Sequence, residues 1–527
     1  MRAFVWAVAA LAFSAQAAAA GWYRASSEHF VIYSDQNPER LRQFAENLEK
    51  FDGAVRAVRG MDDLPLSQGN RVTIFRLHDA AEVQRLANDN SGFIQGFYRG
   101  RAAGSLAFVA PGEASNARPQ SYTGSRMVYQ QPNTNLGENT ILLHEYSHHL
   151  MMQDLRVPYP EWLVEGFAEF MSTAQFEKDG SVGLGLPATH RLYGLLNGNE
   201  LPLETLLSGN YDKITNEQHE SIYGRGWLLT HYLTFEPTRK GQLAAYLTAL
   251  MGGANPLDAA RKGFGDLKTL DRDLDAYMGR TKLRYVKISG SLAFAPVQIT
   301  QLSAGGSAVL PQLIEVKNGV PANSAEALAQ KVRAVEAAYP GDELVETTLA
   351  EAELDANHPE AAEAAADRAA VANPRNTEAI ILKGRAIAAR AVKAEGGSRH
   401  ALYEQARKTF IAANKIDAED PESLMEFYRT FPSEGIRPSD NAIAALHYAS
   451  DLAPQDLGLR MNSAMQYLAA GKTADARRAL IPIAYDPHGK DFAQMARNMM
   501  TRIESGDVKG ALAIAAAGAQ KPQPSSP

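Results

Sequence analysis

Hydrophobic and polar positions divide the chain into three textures. From Trp22 to about Ala110 the alternation in His29-Phe30-Val31-Ile32-Tyr33 and Val72-Thr73-Ile74-Phe75 predicts strands, while Glu39 to Val58 carries apolar residues at helical spacing. Ser105-Leu106-Ala107-Phe108-Val109 reads as a further short strand, closed by Pro111-Gly112. From Glu138 to about Tyr277 the pattern turns mainly helical. Val297 to Leu302 and Ala308 to Leu310 then flank Gly305-Gly306, which predicts a linker or small hairpin over 291–323. From about Ser324 the chain becomes rich in Ala, Glu, Arg and Leu at helical spacing, and its last residues, 517–527, are Pro/Ser-rich and predicted to be disordered. The expected fold class is therefore α+β over 21–290, a mixed sheet with a helical part at about 137–240, followed by an all-α region over 324–516.

The all-α region carries a repeat. Pro340, Pro374, Pro421, Pro454 and Pro487 stand 34, 47, 33 and 33 residues apart, mostly just after a helical stretch, and the long interval fits an insert around Gly396-Gly397-Ser398. Leu349, Ala350, Leu354, Ala362, Ala369 and Pro374 fall at matching places in one unit, as do Tyr467, Gly471, Ala476, Leu480 and Pro487 in another. The pattern resembles the tetratricopeptide (TPR) repeat, a pair of antiparallel helices whose small residues allow close approach. That resemblance implies a solenoid surface on which a protein partner or substrate binds.

Composition narrows the chemistry. With 53 Lys+Arg against 60 Asp+Glu, the net charge of -7 over 527 residues gives neither a polybasic surface nor an acidic tail, so nucleic acid is not an expected partner. The absence of cysteine excludes disulfides, thiolate ligands and a Cys nucleophile, and leaves His and carboxylate for any metal. Met1-Arg2, the apolar run from Ala3 to Phe13, and Ala18-Ala19-Ala20 before Gly21 read as a cleaved export signal over 1–20. The apolar run Ala511 to Ala519 is too short to cross a bilayer, so no stable membrane span is expected after cleavage. The expected location is exported, periplasmic or secreted.

Within the helical part, His144-Glu145-Tyr146-Ser147-His148 is an H-E-x-x-H motif, preceded by Asn135-Leu136-Gly137-Glu138, which resembles a capping box. Four residues advance a helix by slightly more than one turn, so both imidazoles point the same way and can share one zinc ion. Glu145 falls on the adjacent flank, where a general base can reach a water beside the metal without binding the metal itself.

A second helix is predicted from Pro160. Sixteen residues separate His148 from Glu165, enough for a reversal that lays the two helices side by side. Trp162-Leu163-Val164-Glu165-Gly166-Phe167-Ala168 resembles the W-L-x-E-G-F-A stretch of gluzincin metallopeptidases, particularly the aminopeptidase N type. The resemblance implies that Glu165 is the third zinc ligand beside His144 and His148, with a fourth position left for water. Glu169, one turn on and on the same face, can accept the free N–H of a ligating His, as an acid at this offset does in that family; Glu161, one turn before, competes for either role. Ile222-Tyr223-Gly224-Arg225-Gly226 resembles the family's Y-x-K-G stretch, with Arg225 where Lys is usual. It implies that the Tyr223 hydroxyl stabilises the oxyanion, a role for which His231 is the alternative.

The chain lacks a G-x-M-E-N-like stretch, which captures the substrate amine in aminopeptidases, so endopeptidase activity is expected rather than exopeptidase. The Ser105 to Val109 strand is a candidate to hold an extended peptide by edge pairing. Together these readings imply an exported zinc metallopeptidase with one Zn2+ per chain and a peptide or protein substrate. Two rivals stand beside it: a catalytically inactive TPR scaffold, and a metal-dependent hydrolase of another amide or ester.

Overall fold

The computed structural model describes residues 21–63, 66–88, 96–110, 138–153, 159–191, 195, 201–211, 213–289, 292–486 and 489–519. The export signal, the capping box at 135–137, Pro487 and the tail from 520 lie outside the described residues; the expected disordered tail is corrected at its start, since 517–519 end the helix Val508–Ala519.

Three strands, Phe30–Ser34, Val72–Arg76 and Leu106–Val109, are those the alternation predicts. β1 (Tyr23–Ser26), β2 (Phe30–Ser34), β3 (Val72–Arg76), β4 (Gly96–Arg99), β5 (Leu106–Val109) and β9 (Gln298–Gln301) form one sheet in the order β4-β5-β3-β2-β1-β9. β2, β3 and β5 run parallel, and β4, β1 and β9 pair antiparallel at the flanks. α1 (Pro38–Arg59) makes the crossover between the parallel strands β2 and β3, a connection that needs a helix's length of chain. It starts on an Asn37 cap with Pro38 in its first turn and ends on Gly60 in the left-handed conformation that glycine adopts without strain.

Alternation sends the two sets of side chains to two cores. Phe30, Ile32, Val72, Ile74, Ala107 and Val109 face α1 and α3 (Glu138–Gln153), where Leu142, Leu143, Tyr146 and Leu150 meet them. Phe75, Leu106 and Phe108 face the other way, onto α2 (Ala80–Ala87) and the helix Ala304–Asn318. β5 is buried along its whole length because both neighbours and both faces are occupied. The edge-pairing expectation for Ser105 to Val109 is thus corrected: β4 stands between β5 and the sheet's end. Its residues Gly96-Phe97-Tyr98-Arg99 lack a clear alternation, which is why the pattern overlooks them.

The expected linker or hairpin over 291–323 is also corrected. Gln298–Gln301 closes the sheet by pairing with β1, from Tyr23↔Gln301 to Ser26↔Gln298, and Gly305-Gly306 lie in the first turn of a helix capped by Ser303. A Cβ on Gly305 would lie 2.9 Å from the Asp342 carboxylate, so the two glycines serve close packing, not a turn. A small second sheet, β6 (Gln175–Phe176), β7 (Val182–Leu184) and β8 (Val286–Ile288), follows α4 (Glu161–Ser172).

From Ala304 onward the described chain is helical, and consecutive helices pack on one another as repeats do. Ala350, Ala362, Ala366, Ala369 and Ala476 are wholly buried where the helices meet. The extra length between Pro374 and Pro421 is taken up in two long helices, Thr377–Lys393 and Gly396–Ile416, which meet beside Gly396-Gly397-Ser398. The array leans on the sheet's loops. The Ala102 amide donates to Asp456 (2.9 Å), the Gln455 amide to Ser105 Oγ (3.2 Å), and the Ser67 hydroxyl to the Glu419 carbonyl (3.1 Å). Among the described residues no helix is long and apolar enough to cross a membrane.

Candidate metal centre

The two helices that carry the predicted ligands pack side by side, and the helix Asn216–Phe235 crosses α4 at very short range. Glycine makes that crossing possible. A Cβ on Gly226 would lie 2.5 Å from the Trp162 carbonyl oxygen, and one on Gly166 would run into the Gly226 carbonyl. The Gly of each recognised stretch thus brings the other stretch's neighbours, Glu165 and Tyr223, to one place.

There the three predicted ligands converge. His144 Nε2 is 3.1 Å from His148 Nε2 and 3.2 Å from Glu165 Oε2, and His148 Nε2 is 3.6 Å from the same oxygen. A tetrahedral zinc with bonds of roughly 2.0–2.1 Å separates its ligand atoms by about 3.3–3.4 Å. The triangle fits that ion. Its chemistry fits too, since two imidazoles and a carboxylate meet there, His148 and Glu165 buried and His144 half-buried. Of the three acids spaced one turn apart on α4, Glu165 is the one whose oxygen lies among the imidazoles.

Electrostatics hold the set together. Burial pushes His144 down, but hydrogen bonding to Glu165 and Glu169 outweighs it and raises the imidazole to about 10. Burial likewise pushes Glu165 up, yet the facing His148 and His144 hold it well below the usual carboxylate range. A divalent cation would therefore displace a proton from His144 on binding. Glu161 goes the other way: burial and then the Glu165 charge raise it to about 7.

Glu169 sits where an orienting carboxylate belongs. Its Oε1 is 3.2 Å from His144 Nδ1, the ring atom facing away from the triangle, and it accepts from Arg191 Nε at 2.9 Å. Its Oε2 is 2.7 Å from His190 Nε2. Burial would raise this acid, but Arg191 and the two imidazoles keep it well below its ordinary range. His190 and Arg191 escape sequence reading because they lie in a single 3₁₀ turn, Thr189–Arg191, with no periodicity to single them out.

Tyr223 stands beside the triangle, its ring centroid 6.1 Å from that of His144, with the Arg191 guanidinium 4.6 Å from its own centroid. Burial and the Glu165 charge push its hydroxyl up, so it stays a donor. Alongside burial, the charge of Glu145 contributes to holding the hydroxyls of both Tyr223 and Tyr98, on the edge strand, above their ordinary range. His231 has a different place. It is fully buried, with Nδ1 2.9 Å from the Tyr277 hydroxyl and Nε2 3.1 Å from the Gly185 carbonyl, and burial lowers it to about 4. Arg225, at the usual Lys position, ties its helix to Asp271 at 2.5 Å.

Behind α3 a buried polar network was not foreseen. Tyr98 Oη is 2.6 Å from His149 Nδ1, Gln153 Nε2 is 3.0 Å from His149 Nε2, and Arg56 joins Gln153 to Asp52, which accepts from Tyr146 at 2.7 Å. It fastens α3 to the edge strand and to α1.

No protein-family model matches the sequence, and no curated protein matches it. One solved structure is similar, that of a thermophilic TPR protein from Thermus thermophilus, with 18% identity over 36% of this chain and 97% of that chain. Its TM-score of 0.31 adds nothing to the helix pairing seen directly.

Proposed function

We propose that the chain is an exported zinc metallopeptidase of gluzincin type whose C-terminal helical repeats bind a protein partner or substrate. The observation that carries this reading is the triangle of His144, His148 and Glu165 at the ligand spacing of a tetrahedral ion. The resemblance of the stretches around Glu165 and Tyr223 to that family supports it.

A zinc ion held by these residues supplies a Lewis acid and makes a neighbouring water acidic near neutral pH. The chain's own groups divide the remaining work. Glu145 accepts the water's proton and returns it to the leaving amine. Tyr223, kept protonated, donates to the developing oxyanion, and Glu169 orients His144. Among the described residues β4 is an edge strand of the sheet, and an extended peptide can pair along it. The test is Glu145→Gln. It should keep the metal and lose hydrolysis of a peptide library; retention of wild-type hydrolysis would overturn the mechanism.

The length of the helical array, Ala304 to Ala519, favours a second reading, a scaffold whose catalytic fold no longer turns over. Metal content separates the two. A metal-dependent hydrolase of another amide or ester shares the chemistry and is separated by substrate profiling.

A further inference from the structure

The repeats reach the metal centre. The described helix Thr473–Ala484 and the following Tyr485 lie against α3 and α4, and a crevice opens between them beside a ligand. Met151, Met152 and Val164 form one wall, Ile481 and Tyr485 the other, and His148 lines the crevice between them. The same region also acts on α4 electrostatically: Asp486 pushes the carboxyl of Glu161, one turn before Glu165, up and Arg497 pulls it down. The walls are apolar, and the free volume is about 10 Å³, room for roughly one water-sized group.

We propose that this crevice is a size filter for the substrate, built jointly by the metal-site helices and the last repeats, which admits a small apolar side chain next to the bond attacked and excludes a large one. The inference rests on the peptidase reading. Its substance is that the repeats set specificity at the site itself. His148 belongs both to the ligand triangle and to the crevice, so a peptide carbonyl at the metal brings a neighbouring side chain to this opening. Small residues such as Ala fit the space as it stands. Phe does not, because a ring far exceeds the free volume and Ile481, which lines the crevice, is itself buried. Tyr485 is half-buried at the helix C-terminus and packs against the edge of the repeats' core, so shortening it removes a crevice wall together with part of that packing.

The experiment measures binding of blocked hexapeptides carrying Ala or Phe at each position in turn. Calorimetry is done on the full-length Glu145→Gln chain, loaded with zinc, in which turnover is suppressed. At one position Ala should bind about tenfold or more tightly than Phe. Adding Tyr485→Ala should bring Phe to within about threefold of Ala or reverse the order, while Met152→Trp on the opposite wall should weaken both. An unchanged Ala-to-Phe ratio in Tyr485→Ala, a parent chain that prefers Phe, or binding of neither peptide would overturn the filter. Far-UV circular dichroism with a urea midpoint shows that each variant is folded. The peptidase reading fails separately, if the zinc-loaded chain with Glu145 intact hydrolyses none of these peptides while the binding ratio and its shift persist.

Discussion

Gly226→Ala tests whether the close crossing of α4 by the helix Asn216–Phe235 builds the site. The new Cβ would lie 2.5 Å from the Trp162 carbonyl and 3.3 Å from Gly166 Cα. Ordinary contact begins near 3.4 Å, so the helices must part by roughly 0.9 Å. The obstacle is backbone, which cannot turn aside as a side chain can, so the penalty belongs at the upper end of overpacking, about 3 kcal/mol. Ala gains about 1 kcal/mol over Gly inside a helix, leaving a net loss of about 2 kcal/mol. Tyr223 lies one turn before Gly226, and Glu165 is next to Gly166, so the same displacement loosens both. A lower urea midpoint, weakened zinc retention and reduced peptide turnover are expected together. Gly397→Ala is the control, because a Cβ there, also within a helix, meets nothing within 4 Å; it should leave zinc retention and turnover unchanged and should not lower the midpoint. If Gly226→Ala matched wild type in midpoint and zinc retention, the account of the crossing would be wrong.

Three further outcomes follow from the same geometry. His148→Ala should lose both metal and hydrolysis, measured by elemental analysis and peptide turnover. Glu169→Ala should weaken zinc affinity about 10- to 100-fold, since His144 Nδ1 loses its acceptor and Arg191 and His190 lose their anion; competition with a zinc chelator measures it. His29 gives a pH signature: burial pushes it down, but Glu49 and Asp52 outweigh burial and Arg56, and raise it to about 9, with Asp63 3.1 Å away on its open side. A folded value above the ordinary 6.5 contributes stability that is complete below about 6.5 and is lost as pH rises toward 9. The urea midpoint should therefore fall over that range in wild type and fall less in His29→Gln.

Much of this was legible locally. α1, β2, β3 and β5 follow from period and composition within a few residues, and the pairing of His144 with His148 follows from helical spacing alone. The position of Glu165 needed the resemblance of a seven-residue stretch, and the structure then separates it from Glu161 and Glu169 by distance. What the sequence hid is non-local. β9 joins β1 across the whole first region, from Tyr23 to Gln301, and no local pattern records a partner that far away. β4 is four residues with no alternation. His190 and Arg191 act through a single turn, and the Tyr98–His149–Gln153–Arg56 network depends on three elements meeting. The docking of Ile481 and Tyr485 beside His148 is set by the length and curvature of the whole helical array, which a repeat pattern does not state.

The most direct test of the central claim is the metal content of full-length protein purified without an affinity metal, wild type beside Glu165→Ala, by elemental mass spectrometry. The account predicts about one zinc per wild-type chain, lost or much weakened in the variant. A wild-type chain that holds no metal and takes up none from micromolar zinc would contradict it, and would leave the repeats as the part of the molecule to study.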